Sequence, residues 1–276
     1  MRVFFILLTF FSSIVAYVPP GGIQTAPRTK TVERRTSALF WQHQHFEKIR
    51  GGGTGEKLDT LRRNAAKELG GTALLVALGS SINRAAGQDT PLPIIAAFWG
   101  AAVFFCIKTV GGDAHFNPAV TLAEYFGGDR KYSDVKKLVV YCLSQVMGGA
   151  LGGLFFMVFN GSTNPVGPLV STFTRFQPAF FAELIGTTMI AFAAFNKNLS
   201  SSPEKPKIVA MAVAFGIIIA GSISQAGLNP ARELGPRIAA IILGKVNWTF
   251  LSGDKLIVYI LAPCIGAIFG KLLGGK

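Results

Sequence analysis

Charge is scarce in this chain. Of its 276 residues only 15% are Asp, Glu, Lys or Arg, against 50% hydrophobic. So few charged side chains do not make the surface of an ordinary soluble domain. Acid is scarcer than base: 14 acidic against 27 basic residues give a formal net charge of +13. The excess is spread over the N-terminal tail and the loops, not clustered beside stacking aromatics. That excludes a nucleic-acid patch and suits the positive flanks of membrane spans. Cysteine is nearly absent. Cys106, Cys142 and Cys264 all fall inside apolar runs without metal-ligand spacing, so they read as small core residues, not as a disulfide framework or metal site. No nucleophile–base pairing or phosphate-binding loop stands out, which leaves an enzyme reading without support and implies no cofactor.

What the chain does have is glycine, 32 residues of it, and long apolar runs. Glycine at that level suits closely packed membrane helices. Six apolar segments, about 66–83, 92–110, 137–159, 178–196, 207–224 and 256–274, each have roughly the 17–25 residues of a bilayer span. Two more, 116–126 and 228–243, are too short or too interrupted to span. Those two pieces begin at copies of one tripeptide, Asn117-Pro118-Ala119 and Asn229-Pro230-Ala231. Asn is a good N-cap, and Pro at the next position is preset for a helix and lacks the N–H that a first turn leaves unpaired. Each copy should therefore open a short helix inside the apolar region.

The chain also repeats. Glu68-Leu-Gly-Gly-Thr72 opens the first span and Glu183-Leu-Ile-Gly-Thr187 the fourth, each at nearly the same distance before its Asn-Pro-Ala copy. Repeat one covers about 60–160 and repeat two about 175–275. Three spans per half is an odd number, so the halves insert with opposite orientation. An inverted repeat of this kind points to a midplane site where two broken helices meet. Lys57, Arg62, Arg63 and Lys67 precede span one. Arg130, Lys131, Lys136 and Lys137 follow span two, and Lys197, Lys205 and Lys207 follow span four. The opposite connections carry only Arg84, Arg175, Lys245 and Lys255. The bundle's N-terminus and both even-to-odd loops are thus expected on the inner side.

Residues 1–16 have signal-peptide grammar: one Arg, a short apolar run, and small residues before a break. The alternative is an uncleaved anchor. Residues 17–56 are basic and contain Thr, Pro and a Ser with few acids, as in a transit peptide or a disordered tail. The membrane domain is expected over 57–276. A cleaved secretory signal would leave the next segment in a lumen, whereas the charge pattern wants it inside, and a second import step resolves that tension. Ala16-Tyr17-Val18-Pro19 resembles the junction of signal and transit segments in plastid proteins of algae with secondary plastids; otherwise an endomembrane or the plasma membrane is the destination.

Two half-helix N-termini facing each other at the midplane would both present positive dipole ends and repel cations. The amides of Asn117 and Asn229 can donate to a passing oxygen. Glu68 and Glu183 lie where a charge is expensive, and read as buried acids that tie down non-helical backbone, with a proton relay as the rival. His115 reads as a brace for the first half-helix, because no His or Cys partner lies at ligand spacing. Gln145, in mid-span, is left without a role.

The paired motifs, the Glu of each half, and the runs Ala114-His115-Phe116-Asn117-Pro118-Ala119-Val120-Thr121 and Gly227-Leu228-Asn229-Pro230-Ala231-Arg232 resemble the aquaporin, or major intrinsic protein, family over about residues 60–275. The resemblance implies an all-α membrane fold of six spans plus two re-entrant half-helices. It implies a homotetramer in membrane lipid with one pore per subunit. It also implies a central constriction at the two tripeptides and a second, selective constriction at Trp99, Ile217, Ala226 and Arg232. Trp99-Gly100 resembles the aromatic–Gly pair of glycerol-conducting relatives, although its placement requires a loop shortened at Gly111-Gly112-Asp113. A ring of this composition can take a carbon backbone on Trp99 and Ile217 while hydroxyls face Arg232. Glu233 and Arg237, four apart, share a helix face and can pair, as an acid and a base do in glycerol channels. The expected function is a passive channel for water and small uncharged solutes such as glycerol. The alternatives are a water-selective aquaporin and a non-conducting membrane scaffold on the same fold.

Overall fold

The computed structural model describes residues 52–87, 89–111, 113–127, 135–159, 173–246 and 253–275. The signal-like segment 1–16, nearly all of the basic tail 17–56, and the loop residues Gly128, Asp129 and Arg130 lie outside the described residues. Every regular element described is helical. In chain order they are α1 (Gly52–Ala85), α2 (Leu92–Val110), α3 (Pro118–Gly127), α4 (Val135–Phe159), α5 (Phe176–Phe195), α6 (Lys205–Ser224), α7 (Pro230–Ile242) and α8 (Asp254–Gly274). Among the described residues, five helices are long and apolar enough to cross a membrane: α2, α4, α5, α6 and α8.

The sixth expected span, 66–83, lies inside α1, which at 34 residues begins well before the apolar run. The stretch from Lys57 to Lys67 is built mostly of Leu, Arg, Ala and Lys, all good helix formers, so the helix has no reason to start where the polarity changes. Glu68 accordingly does not open its span but sits in mid-helix, and Glu183 likewise lies two turns into α5. The chain divides into two compact units, 1–66 and 67–276. The first is represented by the start of α1, where Arg62 pairs with Asp59 at 3.6 Å on an exposed face. The second holds the rest of α1 and all the other helices.

The packing crosses between the halves in matched fashion. Half-helix α3 lies against α8, the last span of the second half, and α7 lies against α4, the last span of the first; α2 packs on α6 across the halves, while α5 packs on α8 within the second. Glycine permits the closest of these approaches. On α4, a Cβ at Gly148 or Gly152 would collide with the carbonyls of Leu69 and Ala73 on α1, and one at Gly149 or Gly153 with Ala231 and Pro236 on α7. One helix thus carries two small-residue stripes, each at a spacing of four, facing two different neighbours. On α8, Gly266 and Gly270 repeat the arrangement against Leu184 and Thr188 of α5. The outward faces are apolar: Phe98, Phe105, Phe155, Phe159, Phe181 and Met211 are all strongly exposed. Lipid can cover such a surface, and water would not. A π-turn over Ile257–Leu261 precedes Pro263 in α8, where the ring has no N–H to give the helical ladder.

Candidate functional site

Both half-helices start at the Asn-Pro pairs. The Asn117 side-chain oxygen accepts from the Ala119 N–H at 2.9 Å, and the Asn229 oxygen from Ala231 at 2.9 Å and Arg232 at 3.4 Å. Each Asn carbonyl takes the first intrahelical bond, from Thr121 at 3.0 Å and from Glu233 at 3.2 Å. These are side-chain N-caps, and they fix the oxygen of each amide. The amide nitrogens then cross between the halves. Nδ2 of Asn117 donates to the Leu228 carbonyl at 2.9 Å, and Nδ2 of Asn229 donates to the Phe116 carbonyl at 2.7 Å. A carboxamide nitrogen carries two hydrogens, so one from each is committed to the opposite half and one remains for something else.

The backbone just before each Asn is strained. Phe116 and Leu228 occupy equivalent positions and adopt φ of 55° and 52°, and Gln225 and Ala226 are also left-handed. For residues with a Cβ this conformation costs about 1 kcal/mol or more each. The two span carboxylates offset that cost. Glu68 accepts the His115 and Phe116 N–H groups, both at 2.8 Å, and the Gln145 amide at 2.8 Å. Glu183 accepts the Gly227 and Leu228 N–H groups at 2.8 and 2.6 Å and the Ser224 hydroxyl at 2.5 Å. Each carboxylate therefore satisfies two consecutive donors that no helix could serve.

The shells around these anchors differ. In the first half His115 Nδ1 lies 3.0 Å from the Thr121 hydroxyl, with its ring edge-on to Tyr141 and Phe195. Gln145 also donates to Thr121 at 2.8 Å, and Lys137 pairs with Glu124 at 2.7 Å nearby. In the second half the shell is a fully buried ion cluster, where the first half's ion pair is part-exposed. Glu233, fully buried, contacts Arg232 on one side and accepts from Arg237 at 3.3 Å on the other. The Tyr259 hydroxyl donates to the Ser224 carbonyl at 2.8 Å. Gln145, Thr121, Ser224 and Tyr259 were not assigned from sequence. Gln145 alone carried a signal, as a polar side chain in mid-span.

Trp99, Ile217 and Ala226 share one buried apolar cluster with Phe116 and Leu228. The Arg232 guanidinium lies over the Trp99 ring, 5.4 Å from its centroid, a distance at which the cation and the ring face attract. The structure thus brings Trp99 to Arg232, which its uncertain loop alignment had left open. Asn117, Asn229, Trp99, Ile217, Ala226 and Arg232 each keep 6–8% of their surface accessible, whereas Glu68, Glu183 and Glu233 keep none. Among the described residues, no three of His, Cys, Asp and Glu gather as metal ligands.

Residues 56–273 match the family described as MIP, major intrinsic protein. The glycerol uptake facilitator protein 3 of Lactiplantibacillus plantarum is 29% identical over 236 residues, covering 78% of this chain and 97% of that one. The glycerol uptake facilitator protein of Bacillus subtilis is 31% identical over 234 residues, 75% of this chain and 81% of that one. The X-ray structure of the aquaglyceroporin from Plasmodium falciparum superimposes with a TM-score of 0.61 at 24% identity, over 78% of this chain and 96% of that one, and shares the fold. With its two capped half-helices, their carboxylate anchors and a family match over most of its length, this chain is a multi-pass membrane protein of the major intrinsic protein family.

Proposed function

We propose that the protein is a passive channel for water and small uncharged solutes such as glycerol, and that Asn117, Asn229, Trp99, Ile217, Ala226 and Arg232 line its path. It is a channel and not an enzyme. The observation that carries the reading is the reciprocal pair of amide bonds between the halves. They hold two helix N-termini against each other, and each N-terminus carries roughly half a positive charge. A cation, hydronium included, meets both positive ends at once. A neutral molecule meets instead the remaining N–H of each Asn. Donating from both, the pair turns the passing oxygen and interrupts a chain of proton-relaying waters.

The solute-permeable form is preferred over the water-selective one because of Trp99 and Ile217. Trp99 offers a flat apolar face under the Arg232 guanidinium, which matches a molecule with carbon on one side and hydroxyls on the other. The two bacterial relatives named above are glycerol facilitators, which favours the same reading. Arg232 would supply the donors and a second electrostatic barrier, held in place by the buried Glu233. The proposal extends to a homotetramer in membrane lipid, to a channel domain over 57–276 preceded by targeting segments at 1–16 and 17–56, and to a plastid membrane as destination. These rest on the family resemblance and on composition.

The test is stopped-flow light scattering of proteoliposomes carrying residues 51–276, under water and glycerol gradients in parallel. Fast water with fast glycerol is the expected result. Fast water without glycerol returns the protein to the water-selective class, and flux of neither supports the scaffold.

A further inference from the structure

Trp99 is held from α1 as well as faced by Arg232. Its indole Nε1–H donates to Oδ1 of Asn83 at 2.9 Å. Four residues earlier on the same helix face, a Cβ at Gly79 would collide with the six-membered ring of Trp99 at Cη2, Cζ3 and Cζ2. With the guanidinium of Arg232 5.4 Å from the centroid, the ring is constrained at its N–H, along its benzo edge and on one face. We propose that Asn83 and Gly79 are positioning residues for the selective constriction: Asn83 fixes the plane of the Trp99 ring through its N–H, and Gly79 vacates the space the ring fills. This rests on the reading of Trp99 as part of that constriction.

The consequence is chemical as well as geometric. Indole has a single N–H and no acceptor. With that donor taken by Asn83, Trp99 offers a solute no polar group at all, and the wall it forms is purely hydrocarbon. Among the four ring side chains, polar recognition then falls to Arg232. Without the Asn83 oxygen, a partly buried N–H is left unpaired, a state costly enough to drive the ring toward another acceptor. Oxygen atoms of water or polyol in the path are such acceptors, so the ring would turn and its flat face would leave the constriction.

The test uses protein with Trp41→Phe and Trp248→Phe, which leaves Trp99 as the sole tryptophan, reconstituted in vesicles. Water and glycerol permeabilities and Trp99 emission are measured together. Asn83→Leu is expected to lower the glycerol-to-water ratio about fivefold, the scale of one misplaced pocket contact, and to shift the emission. Asn83→Asp, which keeps the acceptor oxygen, restores the emission and most of the ratio. Gly79→Ala displaces the ring with Asn83 intact and lowers the ratio in the same direction, which covers the case in which Asn83→Leu does not fold. An unchanged ratio in Asn83→Leu and Gly79→Ala, while Trp99→Ala does change it, overturns the inference. So does a shifted emission with an unchanged ratio, since the bond is then only structural. If Trp99→Ala itself leaves the ratio unmoved, Trp99 does not line the path; the proposed constriction falls first and this inference with it.

Discussion

Glu68 and Glu183 each accept two consecutive backbone N–H groups and one side-chain donor, but the side chain is the Gln145 amide in one half and the Ser224 hydroxyl in the other. The halves diverge further with distance from the carboxylate. Four residues after its Asn, the first half has Thr121, bonded to His115 and Gln145, and the second has Glu233 between two guanidinium groups. Three residues after, the first has Val120, packed in the apolar cluster, and the second has Arg232 over Trp99. The elements shared by both halves are those that hold strained backbone and start a helix. The elements found in one half only are the His115–Thr121–Gln145 brace of the first and, in the second, the buried ion cluster with Arg232, the residue proposed to face the solute. The frame is thus common to both halves, and the chemistry placed on it is not.

The comparison can be broken first at its shared part. Glu68→Ala and Glu183→Ala each strip three donors of their acceptor, and each leaves one left-handed residue, Phe116 or Leu228, without its bond. Each is expected to lower stability by about 3–5 kcal/mol, the range for removing one partner of a buried charged network. Thermal unfolding in detergent reads this, and the two losses should be similar. A large loss in one and none in the other would mean that the carboxylates are not equivalent. The divergent part is broken next. Arg232→Val gives the second half the residue of the first at this position, and cation or proton flux into proteoliposomes should rise about tenfold or more as one of the two barriers disappears. Val120→Leu, on the side that has no such barrier, should leave that flux alone, while an unchanged flux in Arg232→Val would remove the assigned role of the arginine. A smaller effect is expected at Ile217→His, which puts a polar donor on an apolar wall. Glycerol should fall several-fold relative to water, the discrimination available from a single pocket contact. No change in the ratio would mean that Ile217 is off the path.

The starts of both half-helices were readable from sequence because capping is local: Asn, then Pro, then a helix, within three residues. Glu68 and Glu183 were readable as anomalies, since an acid in an apolar run needs a reason. The beginning of α1 was not readable, because the helix runs back from the apolar stretch through a charged one rich in helix formers and starts at Gly52, where propensity gives no signal. Gln145, Ser224 and Tyr259 are neutral groups whose partners lie far off along the chain: 77 residues for Gln145 and Glu68, 41 for Ser224 and Glu183, and 35 for Tyr259 and Ser224. No periodicity marks such a pairing. Asn83 was hidden for the same reason, as one polar residue near a helix end whose importance depends on where Trp99 happens to lie. The second N–H of each central Asn needed geometry too, since sequence cannot show that the first is already committed.

The crossed amide bonds also bear on biogenesis. Asn117 finds its carbonyl partner 111 residues later in the chain, and the Phe116 carbonyl finds its donor 113 residues later. A nascent chain emerging from the ribosome therefore presents the first re-entrant segment long before its complement exists. Until residues 228 and 229 arrive, that segment holds an unpaired amide and an unpaired carbonyl, and it cannot rest in hydrocarbon on its own terms. The midplane junction therefore cannot close until both halves have been made, because each half holds the partner of the other's amide.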